Sequence, residues 1–337
     1  MDNAAARVRS LEALEGMFGD RVRRAPETTR ALAEVSPRDA GEVEGLAALA
    51  GRFSVPLVPL GAGTLTRPDG PGDGILVRFD LMGAIGMPEG DEPWVEAEPG
   101  STLLSLENNL ESRGLGLAVY PTSAPRATVG GWLSGEGIGV GSFEYGPLPD
   151  NVLSADVVTN GGEKETVPGP DLPGLLRANP GALVVRARLK TRHAKDTPFA
   201  ARFGDPADAV RATASLAERD VPLWHLAFLN AAMSRARGLG EETILFGAYP
   251  GERTDAVSGN LAAVLEKHAG QELPPAEAHR VWGQRFFPVA PSHPTPRADR
   301  KVVPLREAES VLRSETRPVQ GNVSRSRDVL LLTLATG

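Results

Sequence analysis

Val55-Pro56-Leu57-Val58-Pro59-Leu60-Gly61-Ala62-Gly63-Thr64 is a short apolar run that delivers the chain into a pair of glycines. The run reads as a buried strand. Two glycines flanking one small residue let successive backbone N–H groups turn the same way, and such a nest holds a phosphate oxyanion. Thr64 adds a hydroxyl donor. Taken alone, the segment reads first as a tight turn between strands. It is not the Gly-x-Gly-x-x-Gly fingerprint of a dinucleotide-binding βαβ unit, because the third glycine is missing and no acid-tipped strand follows. Upstream, Ser36-Pro37-Arg38-Asp39-Ala40 starts a helix that Ser36 or Asp39 can cap, with Val43, Leu46, Ala47 and Ala50 on one face. Residues 7–19 and 27–34 also have helical spacing. Downstream, 75–79 and 94–97 read as strands and 101–113 as a helix.

A second glycine-rich stretch runs from Pro121-Thr122 through Thr128-Val129-Gly130-Gly131 to Gly135, Gly137 and Gly139, and then to Tyr145-Gly146 and Asp150-Asn151-Val152-Leu153. Backbone without side chains can approach a flat ring or a pyrophosphate closely. Ordering so glycine-rich a loop costs conformational entropy, which a ligand offsets. Residues 152–159 and 163–167 read as a hairpin, and 183–190 as a strand. After His193 the texture changes to alternating strands (197–203, 222–229, 243–249) and helices (205–219, 252–269, 275–286, 305–314), closing with strands near 317–321 and 328–334. That pattern predicts a ferredoxin-like α/β domain over 195–337 behind a first domain over 1–194.

Composition narrows the chemistry. The 337 residues carry 36 basic and 43 acidic side chains, a net charge of −7, which argues against nucleic acid or an anionic membrane as partner. There is no cysteine, so thiolate catalysis, disulfides, Cys-ligated metals and cysteinyl-linked cofactors are excluded for this chain. No apolar run approaches the length of a membrane span, and the N-terminus shows no secretory pattern, so the expected location is cytoplasmic, at most peripheral to a membrane through partners. The five histidines (193, 225, 268, 279 and 293) show no metal-ligand spacing, and no metal is expected. His225, between Trp224 and Leu226, reads as a core histidine.

Several motifs agree in order and spacing with one family. Ser36-Pro37, the run from Val55 to Thr64, Thr128-Val129-Gly130-Gly131, and Tyr145-Gly146 through Asp150-Asn151-Val152-Leu153 resemble the FAD-linked oxidases, whose N-terminal domain is shared with vanillyl-alcohol oxidase, D-lactate dehydrogenase and glycolate oxidase. The resemblance covers about residues 30–192. It implies an α+β fold, with a PCMH-type two-lobed FAD-binding domain followed by the cap. It implies that Pro59, Gly61, Ala62, Gly63, Thr64 and Leu65 cradle the FAD pyrophosphate. It further implies that Pro121, Thr122, Thr128, Gly130, Gly131, Gly135, Gly137 and Tyr145 line the dinucleotide, with Val184 near the adenine. With no cysteine in the chain and no histidine in the first loop, the FAD is expected to be non-covalent. The length suits the short FAD subunit of bacterial glycolate oxidase. That would make the chain part of a complex with a second FAD subunit and an iron–sulfur subunit, acting on a small 2-hydroxy acid such as glycolate or D-lactate.

Departures from the family pattern keep a second expectation open. The glycine-rich acidic turn before the strand at 183 is replaced by Arg177-Ala178-Asn179-Pro180-Gly181-Ala182, and Glu144 stands where a basic residue usually precedes Tyr-Gly. The late strand Pro318-Val319-Gln320-Gly321-Asn322-Val323 keeps Gly-Asn without the family's histidines. Arg285, Arg325 and Arg327 can supply a cation for a carboxylate, although each reads first as an ordinary surface charge, and no catalytic base stands out. The alternative is a non-catalytic subunit that keeps the fold and binds FAD weakly or not at all.

Overall fold

A computed structural model describes residues 3–24, 31–63, 74–87, 92–135, 137–287 and 298–334. The chain forms two compact units, one of residues 1–110, 124–136 and 149–191 and the other of 111–123, 137–148 and 192–337. The sequence places all of 1–194 in one domain, whereas 111–123 and 137–148 pack with the later residues. The reason is visible inside the second unit, where Trp224 Nε1 donates to the Ala118 carbonyl at 2.9 Å and the Gly141 N–H donates to His225 Nδ1 at 3.3 Å.

The first unit has a small α/β lobe and an antiparallel sheet. In the lobe, strands Ala33–Val35 and Leu57–Leu60 flank Ile75–Arg78 in parallel, and Val22–Arg24 adds an antiparallel edge. The parallel pairing requires a crossover, which helix Ala40–Phe53 supplies. Asp39 caps that helix by accepting the Glu42 N–H at 2.9 Å, and Val43, Leu46, Ala47 and Ala50 face the core as their spacing predicts. That core includes Leu14, Phe18, Ile75 and Val77 and continues onto Val158, Leu183 and Val185 of the second sheet. The helical reading of 27–34 fails at its end. Ala33–Val35 is a strand with alternating burial, because pairing with Ile75–Val77 outweighs the local helical spacing; residues 25–30 lie outside the described residues. The second sheet runs Ile85–Gly86, Trp94–Ala97, Leu183–His193, Val152–Val158, Lys164–Pro168.

The second unit holds a seven-stranded antiparallel sheet in the order Gln271–Glu272, Asp196–Phe203, Thr243–Pro250, His225–Leu229, Val319–Val323, Asp328–Leu334, Ala298–Pro304. Its first four strands, with helices Pro206–Glu218 and Thr254–Lys267, follow the βαββαβ order of a ferredoxin-like fold. Three further strands and helix Leu305–Ser314 widen the sheet. The strand Ala298–Pro304 and the short helix Ala231–Ala236 are absent from the sequence reading. Alternation divides the sheet faces. Leu226, Phe228, Leu245, Val319 and Val323 pack with the three long helices, while Ala227, Leu229, Ile244, Phe246 and Leu332 pack on the opposite face with Val281 and Phe287.

Candidate functional site

The strand Leu57–Leu60 ends at the turn Gly61-Ala62-Gly63. Gly63 takes φ +67°, the left-handed conformation that a nest of N–H groups needs. Among the described residues, the N–H groups of Ala62 and Gly63 make no hydrogen bond within the chain. They stand at the carboxyl end of a parallel strand, where open α/β sheets present their ligand sites.

Beneath this turn lies the second motif. Thr128 caps the short helix Val129–Leu133 by accepting the Gly131 N–H at 3.3 Å. A Cβ built on Gly61 would come within 2.9 Å of Thr128 Oγ1 and 3.1 Å of the Gly131 Cα, and one on Gly130 would come within 2.6 Å of Pro99 Cβ. The two glycine motifs, 67 positions apart between Gly61 and Thr128, thus pack on each other. The Val129 and Gly130 N–H groups are engaged by the carbonyls of Ser101 and Pro99, both at 2.9 Å. Gly130 and Gly131 therefore serve a close backbone approach, and the free donors belong to the first loop. An anionic cofactor such as a pyrophosphate fits this arrangement, since among the described residues the two N–H groups of the turn have no acceptor.

The remaining predicted residues divide between the units. Pro59, Gly61, Ala62, Gly63, Thr128, Gly130, Gly131, Gly135 and Val184 belong to the first. Val184 is buried and pairs with Val157, and Gly135 donates to the Trp132 carbonyl at 3.0 Å. Pro121, Thr122, Gly137 and Tyr145 belong to the second unit, where the Phe287 N–H donates to the Thr122 carbonyl at 3.1 Å and the Leu148 N–H to that of Gly137 at 3.0 Å. Burial raises the Tyr145 phenol above its ordinary range, with the neighbouring Glu144 charge adding to the effect. Thr64 and Leu65 lie outside the described residues.

Two departures gain a physical account. Glu144 has a cation of its own, Arg253, whose Nη2 donates to it at 2.8 Å. In the altered turn, Gly181 takes φ +93° and the Pro180 carbonyl accepts from Asn160 Nδ2 at 2.9 Å, a hydrogen bond that fastens the turn to the hairpin at Asn160.

The second unit also contains a polar network on the sheet face opposite the long helices. His225 is fully buried, its basicity pulled down to about 3 by burial and, second, by the Arg285 charge. It is therefore neutral, and since its Nδ1 accepts from Gly141, the proton sits on Nε2, which has no partner. Gln320 links two arginines: its Oε1 accepts from Arg237 Nη2 at 2.7 Å and its Nε2 donates to the Arg285 carbonyl at 2.8 Å. Burial pulls the Arg237 guanidinium down to about 10. Arg325 and Arg327 are exposed in the turn after Val319–Val323. Arg237 and Gln320 escaped the sequence reading because an isolated Arg in a helix–loop junction and a Gln in a strand carry no pattern. Among the described residues no group of His, Asp and Glu has the arrangement of a metal site.

Residues 31–167 match the family described as FAD binding domain. The fold agrees. The 4-ethylphenol oxidase from Gulosibacter chungangensis superposes with a TM-score of 0.78 at 14% identity, over 98% of this chain and 83% of that one. For p-cresol methylhydroxylase the TM-score is 0.76 at 14% identity, with the same coverages. The chain therefore has a PCMH-type fold, and the match of residues 31–167 to the FAD binding domain supports FAD as its cofactor. Among curated relatives, D-2-hydroxyglutarate dehydrogenase of Pseudomonas putida is 38% identical over 136 residues, 39% of this chain and 14% of that protein. The glycolate oxidase subunit GlcD of Bacillus subtilis is 29% identical over 161 residues, 45% of this chain and 34% of that protein. A probable mitochondrial D-lactate dehydrogenase of Danio rerio is 26% identical over 220 residues, 60% of this chain and 44% of that protein. The chain spans less than half the length of each of these three relatives. Among the described residues no helix is long and apolar enough to cross a membrane.

Proposed function

We propose that the chain is an FAD-dependent oxidoreductase subunit acting on a small 2-hydroxy acid of the glycolate or D-lactate kind. It works beside a second FAD subunit and an iron–sulfur subunit, and it holds its FAD without a covalent link. The observation that carries the reading is the pair of unpartnered N–H groups in the Gly61-Ala62-Gly63 turn. Ala62 and Gly63 would bind the pyrophosphate, joined by Thr64 and Leu65, with Pro59 leading into the turn. Thr128, Gly130 and Gly131 set the floor beneath it. Gly135 and Val184, in the same unit as this turn, would line more of the dinucleotide. When bound, the flavin supplies the two-electron acceptor for a substrate hydride. The names of most of the curated relatives, which are 2-hydroxy-acid enzymes beside one Delta(24)-sterol reductase homolog, support the substrate class.

One feature of the described residues favours a second reading. The buried His225 is neutral with its Nε2 protonated, so it cannot take the hydroxyl proton through that nitrogen, and its Nδ1 is engaged by Gly141. A subunit that binds FAD for structure or electron relay fits that deficit. Absorbance of the purified protein with bands near about 375 and 450 nm establishes bound flavin. Turnover of glycolate and D-lactate by the chain alone and with its genomic neighbours then separates the two readings. Little turnover alone and full turnover with partners is the expected outcome. A flavin-free protein sinks the first reading.

A further inference from the structure

Most arginines of the chain with low exposure have acids. Arg21 pairs with Glu42, Arg192 with Asp196 and Arg253 with Glu144. Arg237 and Arg285 have none within ion-pair distance among the described residues, yet Arg237 is largely buried and Arg285 half-buried. Gln320 joins the Arg237 guanidinium to the Arg285 backbone carbonyl, and the Arg285 charge acts on the buried His225. The fully buried Asn322 Nδ2 and His225 Nε2 are further N–H donors there with no acceptor. Placing cations and unpartnered donors together at low dielectric is costly unless a negative ligand completes them.

The network divides the work. Arg237 donates to Gln320, to the Phe286 carbonyl at 2.9 Å and to the Gln284 carbonyl, so its hydrogen bonds end on the protein and fasten the loop at 284–286. Arg285 sits on that fastened loop. Its Nε donates to Tyr120 Oη at 2.8 Å and its Nη1 to the Trp282 carbonyl at 3.1 Å, while Nη2 makes no hydrogen bond among the described residues. The rings of Phe286 and Trp282 lie 4.3 and 4.6 Å from the guanidinium carbon. Stacked in this way, a guanidinium keeps its plane fixed and still offers N–H groups at its edge, the geometry that takes a carboxylate at two points.

We propose that Arg285 is the docking cation for the carboxylate of a small organic acid, with Arg237, Gln320 and Tyr120 as positioning residues. This rests on reading the chain as a hydroxy-acid flavoprotein, and it selects Arg285 over the exposed Arg325 and Arg327.

The test uses the purified full chain and oxalate, a small carboxylate that has no hydride to give. Flavin content is measured by absorbance, and oxalate binding by titration calorimetry. The wild type is expected to bind one oxalate per chain. Arg285→Gln is expected to weaken binding by about 10- to 100-fold with flavin content unchanged. Arg285→Lys, which keeps the charge and loses the fork, should fall between, and Arg325→Gln should match the wild type. Wild-type protein that binds no oxalate, or Arg285→Gln that binds it normally, overturns the inference. If Arg285→Gln does not fold, Arg285→Lys and Tyr120→Phe carry the test, and wild-type affinity in both overturns it. Oxalate binding without flavin supports this inference and overturns the cofactor reading instead.

Discussion

Gly61→Ala is the sharpest perturbation of the cofactor loop, because its cost follows from two distances. The new Cβ would lie 2.9 Å from Thr128 Oγ1, closer than real Cβ atoms come to a neighbour, and 3.1 Å from the Gly131 Cα. The hydroxyl can rotate away, but it then releases the Gly131 N–H that it accepts at 3.3 Å, and losing such a cap costs about 1 kcal/mol. The Gly131 backbone cannot rotate, so the turn and the short helix must part by a few tenths of an ångström, an overpacking cost of about 1–3 kcal/mol. The expected destabilisation is about 2–4 kcal/mol. Thr128→Ala alone should cost about 1 kcal/mol, and the double variant should be more stable than the sum of the singles predicts by about 1 kcal/mol, since one change removes the atom the other collides with. Urea unfolding followed by circular dichroism measures all four corners of this cycle, and flavin stoichiometry accompanies each. A Gly61→Ala protein as stable as the wild type, or a cycle that is strictly additive, would refute the packing argument.

Other outcomes follow from the same geometry. Gly63→Val, which puts a β-branched side chain at φ +67°, should lose FAD while circular dichroism stays near wild type, since strain of about 1–3 kcal/mol is less than a typical domain's stability; full flavin occupancy in the variant removes the loop from the cofactor site. FAD should leave the protein intact on acid or heat treatment, and flavin that remains with the precipitate contradicts the non-covalent reading. His225, held down to about 3 in the fold, binds its proton in the unfolded chain first, at its ordinary value near 6.5. Its contribution is complete above that value and declines as pH falls from about 6.5 toward 3. His225→Gln keeps an acceptor for the Gly141 N–H and should flatten the stability profile between about pH 6.5 and 5; an unchanged slope assigns that loss to other groups.

The sequence by itself determined the local elements whose signals are short-range. Asp39 at the start of an amphipathic helix, the apolar run into Gly61-Ala62-Gly63 and the βα alternation after residue 195 each specify their element without distant help. The free N–H groups of the first loop follow from the same logic, because two glycines and a small residue fix the turn. Tertiary structure decided everything that depends on pairing. Ala33–Val35 became a strand because Ile75–Val77 offers it a ladder. Residues 111–123 and 137–148 joined the second unit because Trp224 and His225 hold them there. Gly61 and Gly131 became one contact although each motif reads as complete alone. Arg285 separated from Arg325 and Arg327 through the partners that bury it: Tyr120 lies 165 positions earlier in the chain, and Gln320 lies 35 positions later. Charge and burial at a site are sums over such distant neighbours, and no spacing along the chain records them.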